Sequence, residues 1–277
     1  MFGVQKMLIN DLGYFKRSAN YSDKYSGMDC LEKCTDKEWF KNYPIQDFDY
    51  KFNSWGFRGP EYNQYISKPV NICLGDSFTV NVGGPIEHSW PSLLQEKFDI
   101  PCLNLGMDGA GNDSIRLVYD RACKLFDVQK TFVVYSFFHR RLENGRFMSE
   151  PHEHIDNIIY FEKNFINDTY FNFIPPWCWT DEELDYISSR SKFYINLNYK
   201  SWNDTLDRQY CYREQYNQLK GADWPTYDEF LAGADPHPDV YTQEFRLRTN
   251  LYSNRDGFHL SLEGNQKLAD NLYEQTK

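Results

Sequence analysis

The sequence has no apolar run approaching the roughly 20 residues needed to cross a bilayer, so a membrane-spanning helix is not expected. Met1 to Ile9 also lacks the charged start and long apolar core of a signal peptide. A soluble protein is expected, either cytoplasmic or released and particle-associated. Positive charge is short: 30 Lys and Arg stand against 40 Asp and Glu, a net charge of −10. A phosphate backbone is repelled by that balance and no basic patch offsets it, Arg140-Arg141 being too short, so nucleic acid is not expected as a partner. Zinc-ribbon spacing is absent from the seven cysteines; Cys30 and Cys34 form a pair with no second half. An odd number, with Cys73 and Cys102 inside apolar stretches, points to reduced thiols packed as small hydrophobes. Repeats and low-complexity tracts are missing too.

What is abundant is aromatic: 18% of the 277 residues, including 21 Tyr and 21 Phe. So many rings cannot all enter one core, and those outside it suit a carbohydrate- or protein-facing surface or reflect biased composition. Residues 1–52 show no clear period and read as an arm packed on the domain, with a short helix within 31–41. Asn53 to Tyr62 is a turn-rich, fixed loop. Residues 70–74 form a strand, 90–98 a helix, 101–105 a second strand and 113–127 a helix. That last helix is capped by Asn112 or Asp113, with Ile115, Leu117, Val118, Ala122, Leu125 and Phe126 on its core face. The continuous apolar run 131–138 has the look of a strand covered on both faces. This alternation is the α/β signature. Residues 142–250 are acidic, aromatic and broken by prolines. They read as a large, mostly helical insertion or lid, with helices at 181–193, 204–219 and 226–232. A C-terminal helix covers 261–276.

The run Val70 to Thr79 ends an apolar strand in Gly75-Asp76-Ser77. A hydroxyl at the end of a buried strand has a rigid support at a crevice, where open α/β sheets bind ligands. A nucleophilic serine needs a base, and the base an orienting group. Asp256-Gly257-Phe258-His259 supplies both residue types, just before the last helix.

Three blocks, Gly75-Asp76-Ser77-Phe78-Thr79, Asn104-Leu105-Gly106-Met107-Asp108-Gly109 and Asp256-X-X-His259, resemble those of the SGNH (GDSL-type) hydrolases, in that family's order. The resemblance covers about residues 53–139 and 252–276. It implies a three-layer, flavodoxin-like parallel sheet flanked by helices, the domain spanning 53–277 with 142–250 inserted. It further implies Ser77 as nucleophile, His259 as general base and Asp256 as the group that orients it. Backbone N–H groups of Ser77 and Gly109 would face the oxyanion. The third block departs from the pattern: the strand ends Ser136-Phe137-Phe138-His139-Arg140, without the expected asparagine. Asn112 in Gly111-Asn112-Asp113, or His139, takes its place, or activity is weak or lost.

The activity implied is ester hydrolysis through an acyl-serine. The substrate would be a small-molecule or carbohydrate ester carrying an O-acetyl or other short acyl group, with no metal or organic cofactor and no membrane partner. An O-acyltransferase would use the same triad. A catalytically silent module for binding or assembly, for example within a phage particle, is the alternative. His152-X-His154-X-Asp156 has spacing that could set three ligands on one strand face, but a solvated polar segment is the simpler reading. Oligomeric state is not legible.

Overall fold

The computed structural model describes residues 22–25, 29–31, 37–136, 140–143, 146–149, 168–173, 255 and 259–277. The elements are β1 (Ser22–Asp23), α1 (Lys37–Asn42), β2 (Tyr50–Lys51), β3 (Pro69–Leu74), α2 (Ser77–Val80), α3 (Trp90–Gln95) and β4 (Cys102–Asn104). After these come α4 (Asn112–Leu125), β5 (Asp127–Tyr135), β6 (Arg140–Glu143), β7 (Arg146–Ser149), β8 (Asp168–Phe173) and α5 (Leu262–Glu274).

Val70, Ile72, Cys73 and Leu74 are all buried, as is the polar Asn71, so β3 is covered on both faces, as a central parallel strand must be. It pairs in parallel with β4 on one side and β5 on the other, and β5 pairs in parallel with β8. Among the described residues the main sheet therefore runs β4-β3-β5-β8. The chain steps one way from β3 to β4 and back across β3 to β5. Right-handed crossovers then put α3 and α4 on opposite faces, and α5 packs beside α3. This strand order is flavodoxin-like.

Serine side chains mark the start of two helices. Ser89 Oγ accepts from Ser92 N ahead of α3, and Ser261 Oγ accepts from Gly264 N ahead of α5. Helix α4 differs from expectation: Gly111 is its N-cap, Asn112 is its first residue, and no side chain caps it. Its buried face adds Tyr119 to Ile115, Val118 and Ala122, while Leu117 and Leu125 are half-buried. Helix α3 also ends earlier than its periodicity suggests. Gln95 leaves the helix pattern by donating to Phe98 O and Ile100 O and accepting from Cys102 N, which ties the turn to β4.

Two further differences concern the sheet. Strand β5 begins at Asp127 and stops at Tyr135, whereas the apolar run suggested 131–138. The stretch read as an insertion also supplies β8, so part of it is sheet. Hydrophobic continuity marks the buried middle of β5 but not its exposed start, and Asp168–Phe173, last in the sheet among the described residues, has no long apolar run. The helices expected at 181–193, 204–219 and 226–232 lie outside the described residues. Of the arm, β1 pairs antiparallel with β2, and Phe48, Tyr50 and Phe52 pack with Val80 and Val82 in a small second core. Cys73, Cys102 and Cys123 are free thiols. Among the described residues no helix is long and apolar enough to cross a membrane.

Candidate active site

Ser77 is the first residue of α2, directly beyond the end of β3, and is 5% exposed. The tight passage from strand to helix depends on Asp76. Its Oδ1 accepts from Phe78 N at 3.1 Å and caps the helix, and its Oδ2 accepts from Ser136 Oγ at 2.8 Å. With no exposure at all, the Asp76 carboxylate serves the turn rather than solvent.

Asn112 joins the same network. Its Nδ2 donates to Ser136 O at 3.1 Å, and its Oδ1 accepts from Ser136 N at 2.9 Å. The side chain thus grips the backbone where β5 ends, linking the start of α4 to the end of the strand beside Ser77. An amide nitrogen has two hydrogens, and Ser136 O takes one of them.

Gly109 follows β4 with φ +74°, a left-handed conformation that favours glycine. Before it, Leu105 N and Met107 N donate to Cys73 O and Gly75 O, so the loop after β4 extends along the end of β3. Asn104 completes the brace: its Nδ2 donates to Thr79 O and its Oδ1 accepts from Gly106 N. Tyr62, from the fixed loop before β3, donates its hydroxyl to Asn104 O at 2.8 Å. Burial pushes that phenol's pKa well above its usual value.

His259 is 6% exposed, and its ring lies 4.7 Å from that of Phe78, the neighbour of Ser77. The structure therefore brings the C-terminal histidine to the serine turn. It records no hydrogen bond between Ser77 and His259, and Ser77 Oγ has no partner among the described residues. Asp256 and His139 lie outside the described residues, as do His152, His154 and Asp156.

Sequence reasoning missed the residues that hold this arrangement. Asn81 ends α2 in a left-handed conformation (φ 61°), and Arg58, 1% exposed, donates to Val80 O and Asn81 O at 3.0 and 2.7 Å. Asn265 Nδ2 donates to Asn81 Oδ1, Leu260 O and Ser261 O, and its Oδ1 accepts from Trp90 N. Nothing local in the sequence marks these residues, because the partners that join them to other elements are distant in the chain. A separate cleft of about 660 Å³ lies between the arm and the turn at Pro85–Glu87. Neither Ser77 nor His259 lines it.

Among solved structures the chain is similar to a lipolytic protein of the G-D-S-L family from Desulfitobacterium hafniense DCB-2. Identity is 15% and the TM-score 0.34, over 66% of this chain and 95% of that one. It is similar also to the psychrotrophic esterase EstA from Pseudoalteromonas sp., with 14% identity and a TM-score of 0.42, over 75% and 96%. No family model and no curated protein matches the chain. The sheet sets a serine beyond the central strand, a glycine-bearing loop beyond the next, and a histidine before the final helix.

Proposed function

We propose that the protein is a serine ester hydrolase that releases an acetyl or other short acyl group from a carbohydrate-like substrate. Ser77 Oγ attacks the ester carbonyl while His259 takes its proton. The tetrahedral intermediate collapses, His259 returns the proton to the leaving alcohol, and the acyl group stays on Ser77. Water, activated by the same histidine, then attacks the acyl-serine, releases the carboxylic acid and restores the hydroxyl. Asp256, three residues before His259, holds the imidazole and stabilises its cation.

The N–H groups of Ser77 and Gly109 meet the oxyanion, with the second amide hydrogen of Asn112 as a third donor. The single observation that carries this reading is the packing of His259 against Phe78, which joins two distant segments at the end of β3. The test is hydrolysis of p-nitrophenyl acetate. Activity that disappears in Ser77→Ala supports the reading; activity that survives it counts against the mechanism.

The engagement of the Asn112 amide by Ser136, together with the lack of a direct Ser77–His259 hydrogen bond, favours one second reading. In it the same fold is a catalytically silent module for binding or assembly. An O-acyltransferase differs from the hydrolase only in the acceptor, and added sugar alcohols that divert acetate from water would reveal it.

A further inference from the structure

Arg255 stands four residues before His259 and is 1% exposed. Its guanidinium reaches three acceptors in the N-terminal arm: Gln46 O at 3.0 Å, Lys24 O at 3.0 Å and Asp29 Oδ2 at 2.8 Å. The ring of Phe48 lies 4.1 Å beneath it. Asp29 is wholly buried, so both charges have left water, and each is neutralised by the other. Tyr50 completes the grip by donating its hydroxyl to Asp29 Oδ2 while accepting from Gly83 N at 2.6 Å.

The backbone of Arg255 is held as well. Its N–H donates at 3.0 Å to Gly83 O, in the loop that follows α2. Gly83 is thus fixed on one side by Tyr50 and on the other by Arg255, six residues beyond Ser77. The segment that bears the base is therefore fastened to the segment that bears the nucleophile, through the arm. Four residues of extended chain span at most roughly 14 Å, so a fixed Arg255 restricts where His259 can stand. From the other side, Asn265 holds Leu260 O at 2.7 Å and Ser261 O at 3.0 Å.

We propose that Arg255 is a positioning residue, gripped by Asp29, Gln46 and Lys24 of the arm, with Tyr50 holding Asp29, which sets the segment presenting His259 to Ser77. This rests on the reading of His259 as the base. A planar fork with five donors is needed to satisfy three acceptors at once, which a lysine ammonium on a flexible stem does less well. The arm is, on this account, a part of the catalytic apparatus rather than a wrapping around it.

The test compares the full-length chain with Arg255→Lys and with the milder Tyr50→Phe, by amide hydrogen exchange and by the rate at which a fluorophosphonate labels Ser77. Peptides covering 255–260 should exchange about tenfold faster in Arg255→Lys, and less so in Tyr50→Phe, while β3 keeps its protection. Labelling of Ser77 should slow by about fivefold or more, since a misplaced base activates the serine poorly. Unchanged exchange of 255–260 in a folded variant overturns the proposal. Faster exchange with labelling at the native rate overturns it too, because the grip would then be structural only. If Arg255→Lys does not fold, Tyr50→Phe decides by the same two readouts. Failure of the native protein to label at all contradicts the hydrolase reading instead, and exchange then shows by itself whether the arm fixes the segment.

Discussion

Thr79 fills the space that Gly75 and Gly106 leave open. A Cβ on Gly75 would meet Thr79 Oγ1 at 2.0 Å and Val134 O at 2.9 Å, and one on Gly106 would meet Thr79 Cβ and Val80 N at 2.8 Å. The glycine before Asp76-Ser77 is thus required by close packing of β3, β5 and α2. Gly75→Ala should destabilise the fold by about 1–3 kcal/mol, since the obstructing Val134 oxygen is backbone and cannot swing aside. A urea midpoint would show it, and an unchanged midpoint would contradict the packing. Asn112→Ala should cost about 1–3 kcal/mol in the same measurement, by removing both hydrogen bonds that the amide makes to the Ser136 backbone. As an oxyanion donor the side chain should also carry kcat, which would fall about 10²–10³-fold. A drop in stability with native kcat would assign Asn112 to structure alone. That His259 comes to the turn bearing Ser77 and Phe78 was legible from the motif resemblance. The bond between Asn112 and Ser136 was not, since residues 24 apart meet only once the sheet has formed.

At the scale of elements, strands with buried middles and helices with serine caps were the legible part. Residues 70–74 and 261–276 fall within a residue or two of β3 and α5. Element ends were harder where a side chain of another element sets them, as Gln95 does for α3. Strand β8 was hidden because Asp168-Thr-Tyr-Phe-Asn-Phe sits in a region rich in Asn, Tyr and Phe throughout, so its composition does not stand out. Helix α5 is fastened through Asn265, which is wholly buried and bonded to four groups. Asn265→Ala should lower stability by about 3 kcal/mol, more than any exposed residue of that helix, because several buried partners lose their bond together. Truncating an exposed position such as Glu263 gives the comparison.

For the molecule as a whole, the arm, the fixed loop and the sheet share buried phenols. Tyr50 and Tyr62 are both buried, which raises each pKa well above that of an exposed tyrosine. The folded protein therefore keeps two protons that the unfolded chain releases above about pH 10. Their contribution is fully present below that pH and is lost as pH rises through and beyond it. The expected slope is about 1.4 kcal/mol per pH unit for each tyrosine, or about 2.7 for the pair, in urea midpoints taken between about pH 10.5 and 11.5. Tyr50→Phe/Tyr62→Phe should flatten that slope; an unaltered slope would deny the two phenols this role. The acidic, aromatic character was legible at once, but the bracing of the site by the N-terminal arm was not. Asp29 and Arg255 are 226 residues apart and carry no local signal of their pairing.

The central claim is that Ser77 is a nucleophile activated by His259. Its most direct test is intact-mass analysis after exposure to a fluorophosphonate, in the native chain, Ser77→Ala and His259→Gln. A single adduct on Ser77 in the native protein, none in Ser77→Ala and labelling at least about a hundredfold slower in His259→Gln would agree with it. A folded native protein that takes up no adduct, or a His259→Gln variant that labels at the native rate, would contradict it.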